Sequence, residues 1–73
     1  MDMEIIDKVL ADEVEAGDYI LFIDDEGKSL GPMEIVRIEE DEEGYIHLIP
    51  EEEEWTQAYL PFASVSIYGY IDD

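Results

Sequence analysis

Residues 39–44, Glu39-Glu40-Asp41-Glu42-Glu43-Gly44, restrict this chain more than any other stretch. Five neighbouring carboxylates repel one another and cannot be buried unpaired, so the run has to lie in solvent. The glycine at its end supplies a positive φ, which tight connections need. Runs rich in β-branched and aromatic residues flank it at 33–40 and 45–49. The pattern predicts two antiparallel strands joined by an acidic hairpin turn. A one-residue slip would carry carboxylates into the core, so the charge also guards the register. A second run, Glu51-Glu52-Glu53-Glu54, follows Pro50 and ends the second of these strands.

The rest of the chain divides in the same way. Residues 4–10 alternate imperfectly and read as a strand or a short helix, with Ile5 and Ile6 on opposite faces. Residues 11–18 form a turn, with Gly17 for its backbone freedom and Val14 as its inward anchor. Residues 19–24, opening on five consecutive apolar residues, predict the best-covered strand. Asp24-Asp25-Glu26-Gly27-Lys28 reads as a turn that Ser29-Leu30-Gly31-Pro32 lengthens into a loop. In residues 33–40, alternation groups Val36 with Ile38, and Ile35 with Met33 and Arg37. Residues 55–60 and 65–71 alternate again, and Pro61-Phe62-Ala63-Ser64 between them predicts a single 3₁₀ turn.

A chain of 73 residues holds one domain with one small core. It contains no cysteine and one histidine, which leaves neither disulfides nor a structural metal to staple it. Apolar residues make up 47%, too many for a simply disordered acidic chain. No cofactor is expected. No stretch is long and apolar enough to span a bilayer, and the first residues lack a signal peptide's basic region, so a cytoplasmic location is expected. With 22 acidic and 3 basic residues the formal net charge is -19. Such a field repels nucleic acid and anionic membranes and attracts basic protein surfaces.

The segment Ala-Asp-Glu-Val-Glu-Ala-Gly-Asp-Tyr-Ile-Leu-Phe, residues 11–22, resembles the lead-in of SH3-like, KOW-type and Hint/intein β-barrels. Intein chemistry is not implied, because the chain starts with Met1 and ends with Asp72-Asp73. Six short β segments with one turn of 3₁₀ helix before the last resemble an SH3-like small barrel, of the kind found among short acidic bacteriophage proteins. The resemblance implies an all-β barrel of five to six short antiparallel strands filling residues 1–73. The ALYDY motif of SH3 domains proper is absent and Trp55 stands alone, so proline-rich ligands are not implied.

The residues argue against an enzyme. His47 lies mid-strand, and Ser29, Ser64 and Ser66 lack a nucleophile-elbow context. Asp24-Asp25-Glu26-Gly27 lacks the spacing of a calcium loop. Two features point to binding instead. Carboxylates at Glu39, Glu40, Asp41, Glu42 and Glu43, with Glu51, Glu52, Glu53 and Glu54, suit a basic groove built for phosphates. Phage-type inhibitors of DNA-binding proteins resemble this chain in size, charge and β content, which implies a DNA mimic acting on a host nucleic-acid-binding protein. The other feature is aromatic. Tyr68 and Tyr70, sharing a face with Trp55 or Tyr59, would make a patch for a protein partner, with acidity serving solubility. The last strand is also a candidate for pairing with a copy of itself, giving a homodimer.

Overall fold

The computed structural model describes residues 2–70, so Ile71, Asp72 and Asp73, read above as the end of the last strand and an acidic tail, lie outside the described residues. The protein is all-β. Its strands are β1 (Met3–Leu10), β2 (Tyr19–Ile23), β3 (Ser29–Glu40), β4 (Ile46–Pro50), β5 (Gln57–Tyr59) and β6 (Ser64–Tyr70). They form one antiparallel sheet in the order β1-β6-β2-β3-β4-β5. The sheet is open, with β1 and β5 at its edges. Strand β6 lies between β1 and β2, so it is not the free edge expected to meet a second copy.

Two Asp-led turns fix β3 at both ends. At the β2–β3 turn the Asp24 Oδ1 accepts the amides of Glu26 (2.9 Å) and Lys28 (2.8 Å). At the β3–β4 turn the Asp41 Oδ1 accepts those of Glu43 (2.9 Å) and Tyr45 (3.0 Å). Gly27 and Gly44 occupy the matching positions with φ of 81° and 91°, where a side chain is strained. The two turns are one motif, Asp-acid-Glu-Gly, used twice.

Strand β3 begins earlier than expected, because Gly31 and Pro32 are in the ladder opposite Phe22 and Leu21. Ile35 bonds β2's lead-in through its N–H to Asp18 O (2.9 Å) and its O to Gly17 N–H (2.7 Å). By alternation the Pro32 nitrogen faces away from β2, past the end of β4, where no amide hydrogen is needed. A bulge between Ile35 and Arg37 resets the alternation. Ile35 is fully buried, Val36 is exposed, and Ile38 packs on the core. The expected pairing of Val36 with Ile38 on one face is thereby corrected, since period two does not survive the extra residue.

The core comprises Ala11, Val14, Ile20, Phe22, Ile35, Ile46, Leu48, Val65 and Ile67. No polar or charged side chain is buried among the described residues. The 3₁₀ turns are at Ala11–Glu13 and Glu53–Trp55, two where one was expected and neither at 61–64. Fully buried Ala11 seats the first, and the Glu13 carboxylate accepts the Leu10 amide at 3.1 Å. Residues 61–64 instead make a turn closed by Ala63 N–H to Leu60 O (2.9 Å).

Phe22→Ala is expected to cost about 3–5 kcal/mol, a large part of the roughly 5–15 kcal/mol that holds a typical domain. Phe62→Ala, at a position 71% exposed, is expected to stay within about 0.5 kcal/mol. Urea denaturation followed by circular dichroism checks both, and equal midpoints for the two variants would contradict this core.

Candidate partner-binding site

Nine of the chain's 22 acidic residues lie at the β3–β4 hairpin and the turn after it. Glu39 and Glu40 end β3, directly opposite His47 and Ile46. Asp41 opens the turn, and Glu42 and Glu43 are exposed within it. Glu51 to Glu54 lie past the other end of β4, with Glu53 and Glu54 in the 3₁₀ turn. Five residues of strand thus separate the two runs, about 17 Å at the usual rise.

One side chain draws the runs together. The Arg37 Nε lies 2.5 Å from Glu39 Oε2 and its Nη2 lies 3.0 Å from Glu53 Oε1. The Glu39 hydrogen bond, then that to Glu53, raises the guanidinium pKa further above its ordinary value. Arg37 is opposite Ile49, which is buried outside the core cluster, on the outward face. A shallow depression of about 260 Å³ on this half of the sheet is lined by Glu39, Glu40, Asp41, His47 and Ile49. Among the described residues no three His, Asp or Glu side chains converge as metal ligands would.

His47, expected only as a cross-strand or surface histidine, has a specific partner. Its Nε2 lies 2.8 Å from Asp41 Oδ2. The His47 hydrogen bond lowers the Asp41 pKa below its ordinary 3.8, and the amides of Tyr45 and Glu43 act in the same direction, against partial burial. Asp41 is therefore the turn's clamp as well as a surface charge. The spacing Asp41-x5-His47 across a glycine turn is the signal that finds this pair in the sequence.

Trp55 stands apart from the tyrosines, while Tyr59 and Tyr68 line one shallow depression. Trp55 is on the 3₁₀ turn, its Nε1–H donating to Glu52 Oε2 at 3.0 Å. Tyr59 packs partly buried against the core, and burial pushes its phenol pKa up. Tyr68 is opposite both Ile5 and Tyr19, and Tyr70 is opposite Met3. The rings of Tyr19 and Tyr70 meet edge to face with centroids 6.0 Å apart. Val65 and Ile67 point into the core, so Tyr68 and Tyr70 occupy the outer face. Tyr19, which the sequence reading did not place on the patch, belongs to it.

No helix among the described residues is long and apolar enough to cross a membrane. No family model matches the chain, and no curated protein or solved structure matches it.

The lowered Asp41 pKa stabilises the fold above the carboxyl's ordinary 3.8, and this contribution is lost as pH falls through the lowered value. His47→Ala removes the largest cause of that shift. Carboxyl NMR titration is expected to find Asp41 below 3.8 in the parent and closer to it in the variant. An unchanged Asp41 titration would show that the ring does not hold the carboxylate.

Proposed function

We propose that this chain is a non-enzymatic acidic binding protein that offers the outward face of the β3–β4 hairpin to a basic protein surface. On this reading it is a DNA mimic that inhibits a nucleic-acid-binding protein in the cytoplasm. The observation that carries the proposal is the Arg37 bridge, which puts Glu39 and Glu53, from two separate runs, beside one guanidinium. Glu40 and Asp41 lie with Glu39 around the depression, and Glu53 reaches Glu39 only through Arg37. Carboxylates on successive strands and turns then present spaced negative charge without burying any of it, as a phosphate backbone does. A partner pairing with the unbridged carboxylates gains electrostatic steering.

The proposal extends to the architecture, an SH3-like small barrel opened along one seam. Support comes from the twelve-residue β3 shared between two half-sheets and from the return of β6 to β2. The Gln57 amide also crosses from β5 to the Ile23 carbonyl at 3.1 Å.

A second reading, an accessory interaction module, is favoured by the tyrosine face of β1, β6 and β2.

The test is capture of proteins from a bacterial lysate on the immobilised chain, at about 50 mM and about 300 mM salt, where screening differs strongly. The expected result is a nucleic-acid-binding protein retained at low salt, released at high salt and displaced by double-stranded DNA. Glu40→Lys and Glu53→Lys are expected to weaken its binding several-fold, while Glu4→Lys, on β1, leaves it nearly unchanged. Retained proteins that resist salt, ignore DNA and tolerate the first two reversals would overturn the mimicry reading.

A further inference from the structure

The outer face of β1, β6, β2 and the first half of β3 (residues 29–34) is nearly free of charge in a chain that carries -19. Strand pairing lays it out in rows. Met3 is opposite Tyr70; Ile5, Tyr68, Tyr19 and Glu34 follow one another across four strands. Lys8 is opposite Ser66, Leu21 opposite Pro32, and Leu10 opposite Ser64. Ile5, Leu10, Ile23 and Tyr70 are 50%, 42%, 40% and 57% exposed. Across these positions the charges are one lysine and one glutamate. With 22 acidic residues in the chain, so uncharged a face marks a surface that is covered.

We propose that a second copy of this chain covers it, two sheets packing face to face about a two-fold axis that runs along the strands. The two charges select this occupant. Lys8 is on β1 and Glu34 on β3, about 14 Å apart across three strand spacings. Among the described residues neither is in an ion pair. A two-fold axis along the strands lays β1 of one copy over β3 of the other, which puts Lys8 within one residue pair of Glu34 in the second copy, twice. Glu51 and Glu52 line the same depression as Glu34 and make that rim more acidic for the incoming lysine. A basic partner would meet carboxylates only at this one rim, Glu34 with Glu51 and Glu52, and would have Lys8 against it at the other.

Pairing edge to edge is disfavoured by the chain itself. On β1 the Lys8 amide is taken by Asp7 Oδ1 (2.8 Å) and the Leu10 amide by Glu13 Oε1 (3.1 Å). The other edge, β5, has three residues. Four strands at about 4.8 Å and three two-residue steps of about 6.8 Å give roughly 400 Å² in projection per copy. Two copies together cover about 800 Å², below the total of about 1,000 Å² that a stable specific interface exceeds, so the dimer is a weak, reversible one.

Sedimentation equilibrium over a concentration series at physiological salt tests the proposal. The parent is expected to be a monomer–dimer mixture. Tyr70→Glu, at a solvent-facing position, is expected to weaken association by at least about tenfold with an unchanged circular dichroism spectrum. Should that variant unfold, Lys8→Glu provides the independent test: it weakens the dimer, and the double variant Lys8→Glu/Glu34→Lys restores it. A parent that stays monomeric to about 1 mM, far above reversible-dimer concentrations, would overturn the proposal. So would a folded Tyr70→Glu that associates as the parent does, or a double variant no better than Lys8→Glu.

Discussion

The structure depends on a carboxylate that holds two backbone amides at once. Asp24 does this where β2 turns into β3, and Asp41 does it where β3 turns into β4. Each satisfies amides that a tight turn leaves without a strand partner, and each is followed by a glycine with positive φ. Strand β3 is thereby fixed at both ends. Because a strand's side chains alternate, fixing its ends decides which residues face the core and which face water. The bulge at Val36 then sends Ile35 and Ile38 to the core while Arg37 and Glu39 stay outside.

That arrangement separates charge from apolar surface on a chain with little core to spare. No carboxylate is buried among the described residues, so none bears the desolvation cost of an interior charge. Arg37 relieves repulsion between the two acidic runs at one point, where it bridges Glu39 and Glu53. The sheet formed by β1, β6, β2 and the first half of β3 carries tyrosines and aliphatics outward instead. The molecule has one acidic outer region and one outer face that is largely uncharged.

Much of this was legible from the residues. Five strands follow from β-branched and aromatic runs separated by acidic, glycine or proline turns, while the imperfect alternation of residues 4–10 left β1 open between strand and helix. The hairpin around Gly44 follows from the carboxylates that forbid any other register. What escaped was set by single residues acting at a distance. Pro32 reads as a strand breaker, yet it is tolerated where the sheet beside it has ended. The bulge at Val36 leaves no mark on the hydrophobic pattern, so faces assigned by period two fail beyond it. The 3₁₀ turn at Glu53–Trp55 was hidden because Trp55 alternates plausibly with Gln57 and Tyr59. Of the candidate site, the acidic residues were visible and their meeting through Arg37 was not, since a contact from residue 37 to residue 53 depends on the bulged register.

The two acidic runs converge on one face at the Arg37 guanidinium, and that is the place to measure it. A nuclear Overhauser experiment at physiological salt reads which protons lie beside its Hε and Hη. Cross-peaks are expected from Arg37 to the side chains of both Glu39 and Glu53, together with cross-strand peaks that place Arg37 opposite Ile49. Cross-peaks to Glu39 alone, or a register that sets Arg37 opposite Leu48, would contradict it. The acidic runs would then be separate solvated turns with no common face.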